Sequence, residues 1–567
     1  MTQLARLPTE LFHELFQYLW ANEILHSFSN LSDQMNSILE SYSSYRINFQ
    51  STRYSIFQRI CEQIQPEQVI SLILSDKNDT PHLTKIFLSY FHIQQFTNLR
   101  LLSLIQVEHD SLCKILPELS KLKRLHSLSF DNSSGKGKFV DFTDTNTKIY
   151  SLLPKSSSET ILQLKYLCTT YSDALTSMNF PNLLQLRLNC HSLHPLNAIL
   201  QQAPQLKSLT LFLDVFRDLY AFQPCYSLRK LILIVKHAHM SIDLIGQFLE
   251  KFSNVTHFEL KNIFGFAHRS LIDGFQWERI AQSFSIFNFK FHMKDTLTER
   301  NLDSFRTRFW IEEKHWFVVC QHNYLFTVSL SDFGLPYIGL TCMKSLYSTI
   351  PNNAILYHPK YLIFHRRPSN TQFCFTTIQN LQPIWLGSVQ LLSSIIDLNQ
   401  IQYLTIIPPV FSLFKNISSH MPKLHTLRFE GNQVDIDVPE QSSLSGLQLK
   451  QIHTLQFHIA KDSKKSIYDL QMISYSFPLV EHISTWPVKS RSDIIYIIGL
   501  FKQLSSISFV IHQSIDKIKR YSEFDSQLIL NDIEKYLHCS AMCRIDFISE
   551  NDRTPDLLHF WLCERVR

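Results

Sequence analysis

Downstream of Arg53 one short apolar pattern keeps returning, Leu-x-x-Leu-x-Leu with Ile, Val or Phe admitted at each apolar place. It reads "VISLIL" from Val69, "LRLLSL" from Leu99, "LHSLSF" from Leu125, "LLQLRL" from Leu183, "LKSLTL" from Leu206, "LRKLIL" from Leu228, "VTHFEL" from Val255 and "IFNFKF" from Ile286. A second series has "LQPIWL" from Leu381, "IQYLTI" from Ile401, "LHTLRF" from Leu424, "IHTLQF" from Ile452, "VEHIST" from Val480, "LSSISF" from Leu504 and "MCRIDF" from Met542. Positions four and six alternate inward as a strand requires, and position one turns in from the preceding loop; a helix would favour i, i+3 and i+4. A Leu-rich helical bundle is the competing reading. "FPNL", "APQL" and "MPKL" just ahead of three repeats place Pro where a return segment has to break. Between about 300 and 375 the pattern lapses into aromatic and β-branched stretches such as "FWIEEKHWFVVCQHNYLFTVSL", "KYLIFHRR" and "TQFCFTTI". That composition predicts β-hairpins inserted between two halves of the array, or else distorted repeats. "DNSSGKGKFVDFTDTNTK" at 131–148 reads as a polar surface loop.

The beginning of the chain has a different period. Pro8 suits a first helical turn, and Glu10 there meets the positive end of the helix dipole. Leu11, Leu15 and Leu19 recur every four residues with Phe12 and Phe16 beside them, predicting a helix over about 8–20. Asn22 is placed to cap a second helix carrying Ile24, Leu25 and Phe28, and Ser32 a third in which Met35, Ile38 and Leu39 share a face. Three such helices are too small to enclose a core of their own. Their apolar faces need the rest of the chain, as a cap on the array, or another protein.

Both patterns resemble known families. The repeat interval, mostly about 19 to 31 residues, overlaps the roughly 20 to 29 of leucine-rich repeats and is shorter than TPR or HEAT periods. Only "LHTLRFEGN" also supplies the Asn of that family's turn, at Asn432, so the array resembles an irregular member. Leu7, Pro8, Glu10 and Leu11 ("LPxEL"), continued by Leu15, Phe16, Leu19, Glu23, Ile24, Phe28 and Leu31, resemble an F-box, with Met35 where that family often has an aromatic. The fold expected is therefore an α/β solenoid: an irregular leucine-rich-repeat array, parallel strands with helical or 3-10 returns, preceded by a small three-helix F-box-like segment. Its parts are 1–50 for the helical segment, 51–299 for the first half of the array, 300–375 for the insertion and 376–567 for the second half. The F-box resemblance implies a Skp-type adaptor of a cullin-RING ubiquitin ligase as partner, with Leu7, Pro8, Leu11, Phe12, Leu15, Phe16, Leu19, Ile24 and Leu25 as the adaptor-binding residues.

Composition narrows the chemistry. A chain of 567 residues with 45% apolar and 18% charged positions folds, and a net charge of +5 gives no reason to expect nucleic acid or a membrane surface as partner. Apolar runs such as "IIYIIGLF" at 494–501 are too short to span a bilayer, the start lacks a signal-peptide pattern, and the 11 cysteines form no CxxC pair. An intracellular protein, cytoplasmic or nuclear, with free thiols is expected, and Asn254-Val-Thr256 is then a chance glycosylation match. "HELFQ" at 13–17 has Gln17 where a zinc motif needs its second His, and "SSGKGKF" at 133–139 lacks the P-loop's first Gly and its Ser or Thr. With 11 glycines, 25 dispersed histidines and no nucleophile elbow, neither a cofactor, a metal nor a catalytic group is expected.

What remains is a binding surface. Between the buried Leu positions, outward residues run Gln185, Arg187 and Asn189; Ser208, Thr210 and Phe212; Lys230, Ile232 and Ile234; His257, Glu259 and Lys261; then Asn288, Lys290 and His292. Arg187, Phe212, Lys230, Ile232, His257, Lys261 and Lys290 are the expected target-binding residues, combining charge for orientation with apolar area for affinity. The expectation is a non-catalytic substrate receptor, or alternatively a ligase-independent scaffold or inhibitor whose N-terminal helices cap the array.

Overall fold

The computed structural model describes residues 7–562 apart from 132–161, 214–222, 329–338, 341–345, 350–360, 365–379, 384–392, 407–417, 432–447, 460–469, 512–523, 547–556 and some shorter gaps. The loop expected at 131–148, the phosphate-like "SSGKGKF", "TQFCFTTI" and Asn432 lie almost wholly outside the described residues.

Two large sheets rich in parallel strands, backed by helices, give an α/β solenoid-like fold. In the first, β1 (Tyr45–Asn48), β2 (Val69–Ser75), β3 (Leu101–Ile105), β4 (Ser127–Asp131), β5 (Tyr166–Thr169), β6 (Gln185–Cys190), β7 (Ser208–Leu213), β8 (Lys230–His237), β9 (His257–Phe264) and β10 (Ile286–His292) lie side by side in chain order, all parallel. The sheet ends in an antiparallel hairpin, β11 (Phe317–Gln321) and β12 (Tyr324–Val328), with β12 against β10. The second sheet begins with β13 (Gly339–Leu340), while β14 (Leu346–Ser348) pairs back onto β11 of the first. It continues through β15 (Tyr361–Phe364), β16 (Asn380–Pro383), β17 (Tyr403–Ile406), β18 (Thr426–Gly431), β19 (Thr454–Ile459), β20 (His482–Val488) and β21 (Ser506–Ile511), again parallel and in order. A last antiparallel hairpin, β22 (Ala541–Asp546) and β23 (Leu557–Leu562), completes it, with β23 against β21.

Several returns are helices, among them α4 (Tyr54–Gln63), α5 (Leu83–Tyr90), α6 (His109–Glu118), α7 (His194–Gln202), α8 (Ile242–Glu250) and α9 (Gly274–Ala281). A helix is about 10 Å thick while paired strands stand roughly 4.8 Å apart, so the helical side must spread and the strands line the inside of the curve. Gly274 opens α9 with its amide donating to Ser304 Oγ at 2.9 Å; a Cβ there would collide with the Ser304 carbonyl.

The register corrects five repeat assignments. In "VEHIST" a bulge after Ile483 puts Trp486, not Thr485, opposite the sixth-position Phe509. Ile286 pairs with His257, so it lies on the outward row, and Phe284, Phe287 and Phe289 fill positions one, four and six. The stretch from Phe284 to Phe291 carries two overlapping matches two residues apart, and the pattern alone does not choose between them. Leu381 sits opposite Leu404 and is a position four, not a position one. "MCRIDF" is an antiparallel edge strand rather than a repeat. A further repeat, "LKYLCT" from Leu164, supplies β5; its sixth position is the buried Thr169, which an all-apolar pattern passes over.

The hydrophobic interior forms two clusters, one running from Phe12 to Leu325 and one from Leu381 to Leu562. The last hairpin belongs to both. Leu558, Phe560 and Leu562 enter the second cluster, while Trp561 turns the other way into the first, edge-on to Tyr54 (5.2 Å) and Phe57 (5.6 Å), and its indole N–H donates to the Thr52 carbonyl at 2.9 Å. Nearby, Arg53 pairs with Glu481, Nε to Oε2 at 3.1 Å, and one ring nitrogen of His82 lies 3.1 Å from the Cys543 carbonyl oxygen. The beginning of the first sheet is thus packed on the terminal hairpin and the end of the second sheet.

Candidate functional site

Two surfaces carry the residues singled out from sequence. The first is built on α1 (Thr9–Phe16), α2 (Ala21–Phe28) and α3 (Asp33–Ser41). Pro8 stands at the cap position of α1, and Ser32 Oγ caps α3 by accepting from the Met35 amide at 3.1 Å. Asn22 does not cap α2. Its helix starts a residue earlier, at Ala21, where the Glu23 carboxylate reaches back to the Trp20 amide at 2.6 Å.

The helical stripe is split by its own chain. Phe12, Phe16, Ile24, Leu25 and Met35 are buried in the same cluster as the repeats, Phe16 against Phe28 (5.2 Å) and Tyr42 (5.3 Å), with Leu19 half-buried beside them. Arg46 of β1 fastens the segment, its guanidinium over the Trp20 ring at 4.6 Å and donating to the Gln17 carbonyl at 3.2 Å. Leu7, Pro8, Leu11 and Leu15 stay outside; Leu11 is 47% and Leu15 44% exposed, and Tyr18, one turn further, is 83% exposed. Of the nine residues expected at an adaptor, Phe12, Phe16, Ile24 and Leu25 are therefore committed to the protein's own core. A second row, Phe12 and Phe16, runs beside the Leu row in sequence with equal hydrophobicity, so periodicity cannot say which of the two faces inward. Tyr18 is missed by the sequence reading, although it continues the row at i+3 from Leu15. His13 of the zinc-like motif packs on Tyr42 in a tilted arrangement, ring centroids 5.2 Å apart.

The second surface is the strand face of β6 to β10. Register aligns three rows across it: Gln185, Ser208, Lys230, His257 and Ile286; Arg187, Thr210, Ile232, Glu259 and Asn288; then Asn189, Phe212, Ile234, Lys261 and Lys290. The overlap at Ile286 moves Asn288 and Lys290 one place along these rows, bringing Lys290 directly beside Lys261. Arg187 lies over the Phe212 ring at 5.0 Å. Glu259 accepts from His257 at 2.9 Å and pairs with Lys261 at 3.3 Å. Burial opposes its ionisation, yet the His257 hydrogen bond and the Lys261 charge outweigh that and hold the carboxyl below its usual range. Lys230 and Ile232 are half-buried on the same face. All seven expected target-binding residues share this sheet face.

Lys290 is the least comfortable of them. Burial, and then the neighbouring Lys261 charge, bring its ammonium down to about 8. In the window between about 8 and the ordinary 10.5 the unfolded chain holds a proton that the folded chain releases, so stability rises with pH there. The destabilisation it causes is fully present below that window. Lys290→Met is accordingly expected to raise the urea midpoint at neutral pH, with the gap to wild type narrowing as pH approaches ~10. A gap that stays constant or widens refutes a desolvated cation.

Among the described residues no group of three His, Cys, Asp or Glu is placed to hold a metal ion, and no helix is long and apolar enough to cross a membrane. The sequence matches no protein-family model and no curated protein. Among solved structures the chain is similar to one described as the crystal structure of the Rad7 and Elc1 complex in yeast, at 13% identity and a TM-score of 0.21, over 84% of this chain and 88% of that one. A likeness that low says nothing about function.

Proposed function

We propose that this protein is a non-catalytic substrate receptor of a cullin-RING ubiquitin ligase, with an F-box-like segment followed by irregular leucine-rich repeats. Leu7, Pro8, Leu11, Leu15 and Tyr18 dock a Skp-type adaptor, and the β6 to β10 face binds the target protein. The observation that carries the reading is the exposed row on α1: apolar side chains at every fourth position, left uncovered by a chain that buries the adjacent Phe row completely. An isolated exposed Leu needs no explanation, but a contiguous row marks an interaction site. Ubiquitin transfer is then the work of other subunits, and this chain contributes proximity.

The scaffold reading, in which the helices only cap the array, has its own support in Phe12, Phe16, Ile24 and Leu25, which join the first cluster. The two readings part at the outer row. Purified full-length chain is expected to capture a recombinant Skp-type adaptor, and Leu11→Asp with Leu15→Asp is expected to abolish capture while leaving the far-UV circular dichroism unchanged. If wild type fails to bind where a control F-box protein does, the receptor reading is wrong and the capping reading stands.

A further inference from the structure

Two donors on one face of β10 have no acceptor among the described residues. Asn288, only 4% exposed, has no hydrogen-bond partner for its side-chain N–H2, and Lys290, two residues on and therefore on the same face, has no carboxylate partner among the described residues. The nearest neighbour of Lys290 across the strands is another cation, Lys261, and its ammonium lies 5.6 Å from the Tyr324 ring centroid. Like charges side by side on a sheet, both of them half-buried, cost stability. Their row continues in apolar side chains, Ile234 and Phe212 beyond Lys261 and Phe326 beyond Lys290.

We propose that the β9 to β10 face is a binding site for a carboxylate of an acidic peptide segment, held by Lys261 and Lys290 above Asn288, with apolar residues of the same segment on Ile234 and Phe212. Charge decides between anions. Among the described residues Glu259 already balances one of the two lysines, since it lies 3.3 Å from Lys261, which leaves the Lys290 charge. A carboxylate matches it. A phosphomonoester brings about two negative charges and would crowd the second against Glu259. The site rests on the receptor reading only in that the strand face meets a partner; adaptor capture through α1 is a separate surface, so loss of one binding event leaves the other measurable.

The test uses the full chain and a fluorescein-labelled peptide alternating glutamate with leucine, followed by fluorescence anisotropy. Matching peptides carry glutamine or phosphoserine in place of glutamate. The glutamate peptide is expected to bind, with the glutamine peptide at least ~10-fold weaker and Lys261→Met or Lys290→Met each losing about 10-fold. Lys207→Met removes the same charge from an exposed position ahead of β7 and is expected to change affinity less than about twofold. Lys290→Met is also expected to melt no lower than wild type, which a purely structural lysine would not allow. The proposal is overturned if the glutamate and glutamine peptides bind equally, if Lys207→Met loses as much as Lys290→Met, if phosphoserine binds more tightly than glutamate, or if Lys290→Met lowers the melting temperature.

Discussion

Trp561→Ala is expected to open the contact between the terminal hairpin and the start of the array at a cost of roughly 3–5 kcal/mol, the usual range for deleting a buried Trp. The side chain is 1% exposed, touches Tyr54 and Phe57, and satisfies the Thr52 carbonyl. Deleting it leaves a cavity between two hydrophobic clusters and an orphaned acceptor at its rim. Trp561→Phe keeps most of the packing and loses the hydrogen bond, so about 1 kcal/mol is expected. Amide exchange in α4 should accelerate in the alanine variant while β6 to β9 stay protected, because the damage is local to the junction. An unchanged melting temperature for Trp561→Ala would show that the two ends are not packed together in solution.

Phe16→Ala should separate the two rows of α1 from the opposite direction to the Leu11 and Leu15 pair. It deletes a ring that packs on Phe12, Phe28 and Tyr42 and is expected to cost ~3–5 kcal/mol. Leu15→Asp alone, one residue away but outward-facing, is expected to cost no more than ~0.5 kcal/mol and yet to weaken adaptor capture severely. Chemical denaturation read beside capture gives each substitution one effect and not the other. Equal destabilisation by both would mean that the outer row is also packed against the chain, and the docking site would have to be sought elsewhere.

How much of this fold is legible in the sequence depends on what each pattern constrains. Parallel strands with helical returns follow from an i, i+3, i+5 spacing that a helix does not favour, and the register bears it out from Leu72 through Leu260 and from Leu404 to Phe457, while in β20 a bulge after Ile483 puts Trp486 in the place of Thr485. The spacing fails wherever it has two solutions, as at Phe284 to Phe291, or where a buried position is polar, as at Thr169. Antiparallel pairing of β22 is invisible to it, because one strand's alternation is the same whichever way its neighbour runs. On the helices, hydrophobicity identifies α1 as two-sided but cannot assign the sides; only packing against Phe28 and Tyr42 does so. The charge environment of Lys290 is the least accessible, since it depends on a one-place shift in register that puts it beside Lys261.

The shared wall at Trp561 has a consequence for the length of the array. In an open solenoid repeats can be gained or lost singly, because the ends are free to move apart. Here each added or deleted strand would shift β23 by about 4.8 Å relative to Thr52, further than a hydrogen bond or a ring contact tolerates. The closing tryptophan therefore acts as a ruler whose contacts fit one repeat number.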